Sequence, residues 1–546
     1  MALSVSSSPG NATHFGSTGV LAWRPSSPSD FATVFTTLFA ALLVSVYLRA
    51  QSQKQKSVST LPPGPKPWPI LGNLLALADG MPHHALQRLA SKYGGIMYLR
   101  LGSVPCLIIS TAAAAKEVFQ TNDVSFSSRP KGLYFEIISD NYKTLVLTPY
   151  GPYWRQLRKF SSSELFSAKR HASYRGVREE ELRNMLAILL ETSEKGEAVN
   201  VKSWLYEVSA NVMTRMLINK RYFGKGGASQ EEKADFERLI AAMTRVDFAA
   251  VISDFIPNLT FLTKLQGYNK IFKGIRDDAI RIGGKMLEVE KHRERAKERG
   301  SNDQDEYVPD FVDMLSEEPL DGGKPLPDEQ LTLVLLELFN AGTETGSTTV
   351  EWAMAELILR PELLKQAQAE LDTVVGNDRL MQESDLPNLP FLQAIVKETF
   401  RLHPPAPLAP PRESFQPAQA YGYQIPAGTR LMLNLCAIHR DPAVYESPDE
   451  FIPQRFVDRP ELNHLSGFDS YELIPFGVGR RMCPGYNLGN TLVTLMLGNL
   501  LHSYDWSLPH GQSIESFDMT ESFGITVCRK EPLYLMAKPR DHVVSC

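Results

Sequence analysis

The sequence is poor in cysteine and has no excess of basic charge, and each shortage argues against a class of protein. Five cysteines stand far apart in 546 residues, without a Cys-x-x-Cys pair among them. Such a set is typical of a reducing compartment and argues against a disulfide framework, a cysteine-rich zinc site and an iron–sulfur cluster. The net charge of −5 gives no support to nucleic-acid binding. We therefore expect a protein with no nucleic-acid partner.

Internal repeats, low-complexity segments and the glycine fingerprint of a flavin or nicotinamide site are also missing. Hydrophobic residues make up 43% of the chain and charged residues 22%, as in an ordinary globular protein. The chain can therefore bury a large core. If it performs redox chemistry, its electrons come from another protein.

One uncharged run, from Phe31 to Leu48, has about the minimum length that crosses a bilayer. A buried core helix and a cleaved signal peptide are the alternatives. No small-residue cleavage site follows the run, which favours a membrane anchor. The sequence therefore predicts a single transmembrane helix over residues 31–48.

The charges around this run predict its orientation. Basic residues follow it at Arg49, Lys54 and Lys56, which places the main body in the cytosol. Residues 1–30 then form a short lumenal tail, where Asn11 in Asn-Ala-Thr is a glycosylation candidate. A second sequon at Asn258 lies on the cytosolic side, where we expect it to be silent.

The segment LPPGPKPWPILGN, Leu61–Asn73, has five prolines in eight positions. Proline at this density prevents a helix or a central strand and produces a stiff, extended chain. We expect residues 49–73 to be a connector that holds the catalytic body, residues 74–546, at a fixed pose on the membrane. An inert linker is the alternative.

Beyond the connector, the pattern is mostly helical. Short apolar runs at Ile96–Leu101 and Val104–Ile109 flank Gly102-Ser103 and predict a β-hairpin. Two further strand-rich zones are expected, over residues 421–436 and 523–539. Apolar residues at three- and four-residue spacing predict helices over residues 178–192, 236–246, 279–299 and 330–360. The predicted fold class is mainly α with a minor β portion (α+β), as one large catalytic domain.

The longest predicted helix, Asp328 to Arg360, has a polar centre. It is apolar on most sides, yet its middle reads NAGTETG, from Asn340 to Gly346. Glycine weakens a helix, and a threonine hydroxyl can bond back to the carbonyl four residues earlier. We expect a groove there at a functional site; a glycine kink with a self-satisfied threonine is the alternative.

The loop FGVGRRMCPG, Phe476–Gly485, places a cysteine among glycines. A lone Cys483 could be a small hydrophobe. Backbone N–H groups, a helix start after the loop and two neighbouring arginines favour its thiolate, which would then be a metal ligand or a nucleophile. A single thiolate without other nearby cysteine or histidine ligands suits haem iron.

This loop resembles the F-x-x-G-x-R-x-C-x-G motif of the cytochrome P-450 family, the haem-thiolate monooxygenases. Glu398-Thr399-Phe400-Arg401 is similar to that family's E-x-x-R helix, and AGTET from Ala341 to Thr345 is similar to its acid–alcohol motif. The likeness extends from the proline-rich connector to the C-terminus. It is strongest to microsomal fungal members that act in secondary metabolism or on foreign aromatics.

The resemblance implies haem b, with Cys483 as the axial ligand, and a set of supporting residues. Loop residues in contact with the cofactor are Phe476, Gly479, Arg481 and Gly485. Trp154, Arg158 and Arg412 resemble residues that hold the haem propionates. Glu344 and Thr345 resemble the proton relay, and Glu398, Arg401 and Arg455 a structural group near the haem.

The resemblance also implies the reaction. One oxygen atom of O2 is inserted into a hydrophobic small molecule, with electrons from NADPH through a flavoprotein reductase. The protein would sit in the endoplasmic reticulum membrane, in contact with lipid. Apolar pocket walls are expected from Phe135, Ile138, Phe339, Ala341, Leu408, Ala409, Ile525 and Thr526.

Some alternatives stay open. The reductase could dock on basic residues at Arg155, Lys159, Lys169 and Arg170, or these could form an ordinary solvated surface. A haem-thiolate peroxygenase or isomerase, and a non-catalytic haem sensor or carrier, are rival functions. Cys436 departs from the family, which often has tryptophan in a similar stretch; we interpret it as a packing change.

Overall fold

The computed structural model describes residues 61–540, except 79, 245–250, 260–262, 264, 287, 289–290, 293, 295–309, 318–324 and 468. The chain divides into two compact units, Met1–Ser59 and Thr60–Cys546. The predicted anchor over residues 31–48 and the sequon at Asn11 lie outside the described residues. Within the described ranges, no helix has both the length and the apolar character needed to span a membrane.

Helices make up most of the second unit. They are α1 (Pro82–Tyr93), α2 (Ala112–Asn122), α3 (Leu133–Ile138), α4 (Pro152–Glu164), α5 (Ala168–Ser173), α6 (Arg175–Glu194), α7 (Val201–Ile218), α8 (Gln230–Thr244), α9 (Tyr268–Met286), α10 (Phe311–Glu317), α11 (Asp328–Ile358), α12 (Pro361–Val375), α13 (Pro390–Leu402), α14 (Leu435–His439), α15 (Gln454–Val457) and α16 (Tyr486–Ser503).

The strands are short and form small sheets. They are β1 (Ile96–Leu101), β2 (Val104–Ile109), β3 (Val199–Asn200), β4 (Arg412–Glu413), β5 (Ala418–Ala420), β6 (Tyr423–Ile425), β7 (Arg430–Leu433), β8 (Tyr504–Ser507), β9 (Glu521–Ser522), β10 (Cys528–Arg529) and β11 (Tyr534–Pro539). The largest sheet has the order β1-β2-β7-β4, in which β2 and β7 are parallel and the other pairs antiparallel. The others are β3-β11-β8, β5-β6 and β10-β9.

Helix α11 is the centre of the core. It begins after Pro327, carries Asp328 and Glu329 in its first turn, where carboxylates favour a helix, and is followed by Pro361 at the start of α12. It packs against α7, α9 and α16. Most of its side chains are buried on all sides, which explains its nearly continuous apolar sequence.

The proline-rich segment is bonded to the body of the domain. Tyr98 of β1 donates its amide to the Pro63 carbonyl at 2.9 Å, and Asn73 donates its amide to the Arg100 carbonyl. Gly72 has a φ of +59°, and a Cβ there would lie 2.1 Å from the Arg100 carbonyl oxygen. A glycine is therefore required for this segment to lie so close to β1.

The hairpin of β1 and β2 and the long α11 confirm the sequence predictions at these places. The strand-rich zone expected to reach Cys436 is wrong at its end, because the chain turns into α14 after Asn434. The Asn434 side chain accepts a hydrogen bond from the Ala437 amide at 3.2 Å, which caps this helix. The domain is mainly helical with a minor strand portion, as predicted.

Candidate functional site

The Cys483 loop is held by its own backbone and by Asp123. Gly477 and Gly479 have φ values of +73° and +64°, which the turn requires and other residues rarely adopt. The Cys483 amide donates to the Phe476 carbonyl at 2.9 Å. Arg480 donates its amide and its side chain to the Asp123 carboxylate. A Cβ at Gly479 would lie 2.0 Å from that carboxylate, so only glycine fits.

Opposing influences act on the sulfur of Cys483. Burial raises the pKa of the thiol, whereas a hydrogen bond from the Gly485 amide and the charge of Arg158 lower it. The loop amide and Arg158 favour the thiolate, as the sequence predicted, whereas burial, the largest influence, favours the thiol. A thiolate here needs a further positive partner, and a metal ion supplies one.

Four positively charged side chains, which we call the arginine cluster, lie beside this loop: Arg129, Arg158, Arg412 and Arg481. Arg158 donates to the Met482 carbonyl at 2.8 Å, and Arg481 donates to the carbonyls of Ser127 and Thr148, each at 2.6 Å. Trp154 presents its ring to the Arg481 guanidinium at 4.1 Å, while its own N–H donates to the Leu145 carbonyl.

The positive charge of this arginine cluster is not balanced. Burial, followed by repulsion from the other three, lowers the pKa of Arg481 to about 8. Burial and Arg412 lower that of Arg129 to about 9. The buried Nη1 atoms of Arg412 and Arg481 have no hydrogen-bond partner within the described residues, although Arg412 Nη1 lies 3.6 Å from the Asp123 carboxylate.

These unpaired donors test whether the chain fits the haem expected from its sequence. A haem carries two propionate carboxylates, and guanidinium groups bind carboxylates well. An excess of buried guanidinium charge beside a single cysteine is the arrangement that such a group would neutralise. The residues present therefore fit the cofactor.

Helix α11 presents one open stripe toward this cluster. Glu337, Ala341 and Thr345 follow each other at four-residue spacing and so share a face; Ala341 is exposed, and the other two are half-buried. Glu337 accepts hydrogen bonds from the Thr144 hydroxyl at 2.7 Å and the Val146 amide at 2.8 Å. Burial raises the pKa of Glu337 to about 7, against these bonds and Arg129.

The opposite face of the same turns is closely packed. A Cβ at Gly342 would lie 2.5 Å from the Met213 sulfur of α7, so this glycine allows the two helices to approach. Phe339 is 1% exposed and meets Phe236 of α8 edge-on at 4.5 Å. Phe339 thus lies on a different face of α11 from Ala341, although the sequence grouped both as pocket walls.

The hydroxyls at the centre of α11 bond back to the helix. Thr345 donates to the Ala341 carbonyl at 2.9 Å, and Thr343 to the Phe339 carbonyl at 2.7 Å. The helix nevertheless runs without a break from Asp328 to Ile358. Burial raises the pKa of the neighbouring Glu344, while Lys202 of α7 opposes this.

A fully buried ion pair supports the Cys483 loop. Arg401 donates two hydrogen bonds to the Glu398 carboxylate, at 2.7 and 2.8 Å, and both side chains are 0% exposed. Arg455 adds a third contact to Glu398 at 3.2 Å. Phe400 of the same helix, α13, packs edge-on against Phe476.

His439 extends this support to the segment at Ile474, just before the loop. Arg401 donates to the His439 carbonyl at 3.0 Å, and the Ile474 amide donates to His439 Nε2, also at 3.0 Å. Burial, with Arg401 and Arg440 nearby, lowers the pKa of His439 to about 3. The imidazole is therefore neutral, as an acceptor must be.

The remaining predicted pocket residues are spread over several segments. Ile138 and Thr526 are buried, Phe135, Leu408 and Ala409 are half-buried, and Ile525 is 51% exposed. The Val527 amide donates to the Pro405 carbonyl at 2.9 Å, which joins the segments of Thr526 and Leu408. The sequence missed Asp123, Arg129, Glu337 and His439; only Glu337, four residues before Ala341, stood in register with a motif.

Comparisons with known proteins place this arrangement. The family model described as Cytochrome P450 matches residues 62–536. The chain is 39% identical to a flavonoid 3'-monooxygenase of Crocosmia x crocosmiiflora over 517 residues, 93% of this chain and 98% of that protein. It is 39% identical to a flavonoid 3'-monooxygenase of Petunia hybrida over 512 residues, 93% and 97% of the two chains.

A third relative has a different name. The chain is 37% identical to a melianol synthase of Citrus sinensis over 511 residues, 92% of this chain and 94% of that protein. All three relatives are plant proteins, so the fungal likeness inferred from the sequence has no counterpart among them.

Proposed function

The chain belongs to the cytochrome P450 family and is a haem-dependent monooxygenase, and on this premise we propose that it hydroxylates a flavonoid-like, hydrophobic secondary metabolite. Two of its relatives are named flavonoid 3'-monooxygenases, and each is covered almost completely. The haem part of the proposal rests on two nitrogens without a hydrogen-bond partner, on Arg412 and Arg481, beside the loop of Cys483, and the substrate class rests on these relatives.

Cys483 is the iron ligand in this proposal. When bound, haem supplies the activation of O2 for insertion of one oxygen atom into the substrate. The Gly485 amide donates to the Cys483 sulfur, which tempers its basicity, as supporting hydrogen bonds do at metal sites. Phe476, held by Phe400, limits the access of water to the sulfur.

The arginine cluster orients the cofactor. Arg412 and Arg481 offer their free Nη1 donors to the propionates, and Arg129 and Arg158 add charge without a free nitrogen of this kind. Arg158 also lowers the pKa of Cys483. Arg158 therefore acts on the sulfur, whereas Arg412 and Arg481 would hold the carboxylates of the cofactor.

Thr345 and Glu344 handle protons on the open stripe of α11. The Thr345 hydroxyl donates to Ala341 and keeps its lone pairs available as an acceptor. Glu344 is three residues after Ala341 and adjacent to Thr345. Burial raises the pKa of its carboxyl, and a pKa closer to neutral favours the carboxyl as a proton donor. The charge of Lys202 favours the ionised form of Glu344.

Glu398, Arg401 and Arg455 maintain the fold in this scheme. Their contacts reach the backbone at His439 and, through it, Ile474, two residues before Phe476. They hold the Cys483 loop in position without touching the reacting atoms.

The protein is anchored in the endoplasmic reticulum membrane by residues 31–48, with the catalytic domain in the cytosol. An exposed apolar group at the end of the proline-rich segment supports this location: Trp68, Ile70, Leu71 and Leu75 are 66%, 43%, 40% and 55% exposed. Apolar side chains at this exposure favour the membrane interface over water.

Electrons come from an NADPH-dependent flavoprotein reductase. Arg155 and Lys159 are exposed on α4, the helix whose inner face carries Arg158. Two positive charges above the arginine cluster suit an acidic electron-transfer partner. Lys169 is exposed as well, whereas Arg170 is paired with Glu164 at 3.1 Å.

The decisive experiment uses membranes that contain the full chain and a plant reductase. A panel of flavonoids, other phenolics and terpenoids is incubated with NADPH, and products are identified by a mass gain of one oxygen. We expect hydroxylation of a flavonoid and a carbon-monoxide difference band of the thiolate type. Cys483→Ala removes both, whereas Cys528→Ala, at a half-buried cysteine outside the site, retains both.

The rival functions predict other outcomes. Turnover that persists without NADPH and reductase, when peroxide is supplied, would indicate a peroxygenase. Reduction and carbon-monoxide binding without oxidation of any compound in the panel would indicate a sensor or carrier. A normal thiolate band in Cys483→Ala contradicts the ligand assignment itself.

A further inference from the structure

A second group of metal-ligating side chains lies outside the arginine cluster and the Cys483 loop. His83 and His84 are in the first turn of α1, Cys436 is in α14 and Glu521 is in β9. One donor atom from each of His83, His84 and Cys436 falls within 4.8 Å of the others. We call these three residues, with Glu521, the α1–α14 cluster.

Glu521 determines which nitrogens of the two histidines are free. Its Oε2 lies 2.9 Å from His83 Nε2 and 3.1 Å from His84 Nε2. A carboxylate oxygen only accepts hydrogen bonds, so both Nε2 atoms carry the hydrogen. In neutral rings, both Nδ1 atoms then carry a lone pair.

The Nδ1 atom of His83 lacks a partner, and that of His84 faces Cys436, an arrangement that suggests a shared ligand. His83 is 1% exposed, and its Nδ1 has no hydrogen-bond partner within the part of the chain that the structure describes. His84 Nδ1 lies 3.7 Å from Cys436 Sγ. Zinc bonds of about 2.0–2.1 Å to nitrogen and about 2.3 Å to sulfur place these atoms roughly 3.5 Å apart in a tetrahedron. The observed separation is close to that value.

The surroundings also match a metal centre. Arg440 Nη1 lies 3.0 Å from Cys436 Sγ. A carboxylate that accepts from the outer nitrogen of a ligating histidine is a recurrent feature of zinc sites, and Glu521 would serve two histidines at once. The His84 side chain is 36% exposed, which leaves a path for entry.

We propose that His83 Nδ1, His84 Nδ1 and Cys436 Sγ bind one Zn²⁺, with water in the fourth position and Glu521 as the carboxylate that orients both imidazoles. The ion would join α1 and α14 and, through Glu521, the hairpin of β9 and β10 that carries Ile525 and Thr526. Its role is structural, and it is independent of the monooxygenase reaction. Cys436, which stands where the family often has tryptophan, would then bind the metal in addition to packing in the core.

The test uses the full-length, haem-loaded protein, saturated with Zn²⁺ and dialysed. Metal analysis should find one zinc per haem iron. X-ray absorption at the zinc edge, which haem iron does not obscure, should show nitrogen ligands at about 2.0–2.1 Å and one sulfur at about 2.3 Å. Competition with a chromophoric chelator gives the affinity.

Variants locate the site. Cys436→Ser and His83→Ala should each weaken zinc binding by at least about tenfold and, for Cys436→Ser, remove the sulfur signal. Glu521→Gln, which leaves the three ligands in place, should cost about 10- to 100-fold in affinity. Cys106→Ser, at a buried cysteine in β2, is the matched control and should bind zinc as the wild type does.

Several outcomes overturn the proposal. They are no zinc retained above background, zinc without a sulfur ligand, or equal affinity in wild type and Cys436→Ser. If Cys436→Ser does not incorporate haem, the affinity of Glu521→Gln and the sulfur signal of the wild type still decide the question.

Discussion

Two buried groups of arginines in this chain differ in charge balance. Arg401 and Arg455 converge on Glu398, and the Arg401 nitrogens also donate to the carbonyls of His439, Pro448 and Glu450. In the arginine cluster, by contrast, two guanidinium nitrogens have no hydrogen-bond partner within the described residues, and burial followed by mutual repulsion lowers the pKa values of Arg481 and Arg129.

The difference separates folding from binding. A buried charge that is paired with an opposite charge in the protein destabilises the folded state little. A buried cluster with an excess of one charge destabilises the folded state until an anion binds. The group at Glu398 is therefore a finished part of the fold. The arginine cluster is a receptor whose stability depends on its ligand.

The largest effect on stability is expected from a variant that leaves a buried charge unpaired. Glu398→Ala leaves Arg401 as an unpaired buried charge and should lower the free energy of unfolding by about 3–5 kcal/mol, measured by urea denaturation with haem content as a second readout. Asp278→Ala, which breaks the exposed pair with Arg281, is the control and should change it by less than about 1 kcal/mol. Equal denaturation midpoints in the two variants would abolish the distinction between the groups.

Glu337 tests the carboxylate that faces the excess charge. Its folded pKa of about 7 lies above the ordinary 4.5, so its contribution to stability is complete below pH 4.5 and is lost as the pH rises to 7. Glu337→Gln does not titrate. Between pH 5 and pH 8 it should therefore gain stability relative to the wild type, by up to about 3 kcal/mol.

The measurement is urea denaturation at each pH, and Glu329→Gln, on the exposed first turn of the same helix, is the control. A pH dependence that is the same in Glu337→Gln and the wild type would show that Glu337 already ionises normally in the folded protein.

Removal of one charge from the arginine cluster should separate binding from folding. On the proposed function, Arg481→Leu would remove a charge-assisted bond to a haem propionate, worth about 1.5–3 kcal/mol, so haem should transfer to an acceptor globin about ten- to a hundredfold faster. Arg401→Leu should instead unfold the protein at a lower urea concentration. If Arg481→Leu retains haem as the wild type does, the free Nη1 atoms do not bind the haem propionates.

The smallest effect is expected from a hydroxyl on the open stripe. Thr345→Ala loses only a back-bond to Ala341, so the fold should be unaffected, while the product formed per NADPH should fall several-fold and peroxide should rise. Thr343→Ala loses the same kind of bond on the packed face and should stay coupled. Equal coupling in both would assign the proton relay to other residues.

Local patterns were sufficient for much of the fold. The hairpin, α11 and the Cys483 loop each follow from residues that are near in sequence, because period and turn chemistry are local. The start of α14 was missed because one side chain, Asn434, ends the strand. The sequence pattern gives no sign of such a cap inside an apolar run.

The site was less predictable where it depends on distant segments. Arg129, Asp123 and His439 contact the site through backbone atoms and charges supplied from far along the chain, and none stands in a motif. The burial of Cys483, which opposes the thiolate that its neighbouring residues favour, is likewise a property of the whole fold. The prediction grouped Phe339 with Ala341, although side chains two positions apart on a helix lie on different faces.

The parallel pairing of β2 with β7 affects how the protein is made. Cys106 lies opposite Arg430 in that register, so the middle of the largest sheet joins segments more than three hundred residues apart. A nascent chain that has left the ribosome only as far as α13 has the first hairpin but no third strand to cover it. The apolar edge of this hairpin stays uncovered until β7 is synthesised, and during that interval we expect it to need protection by chaperones.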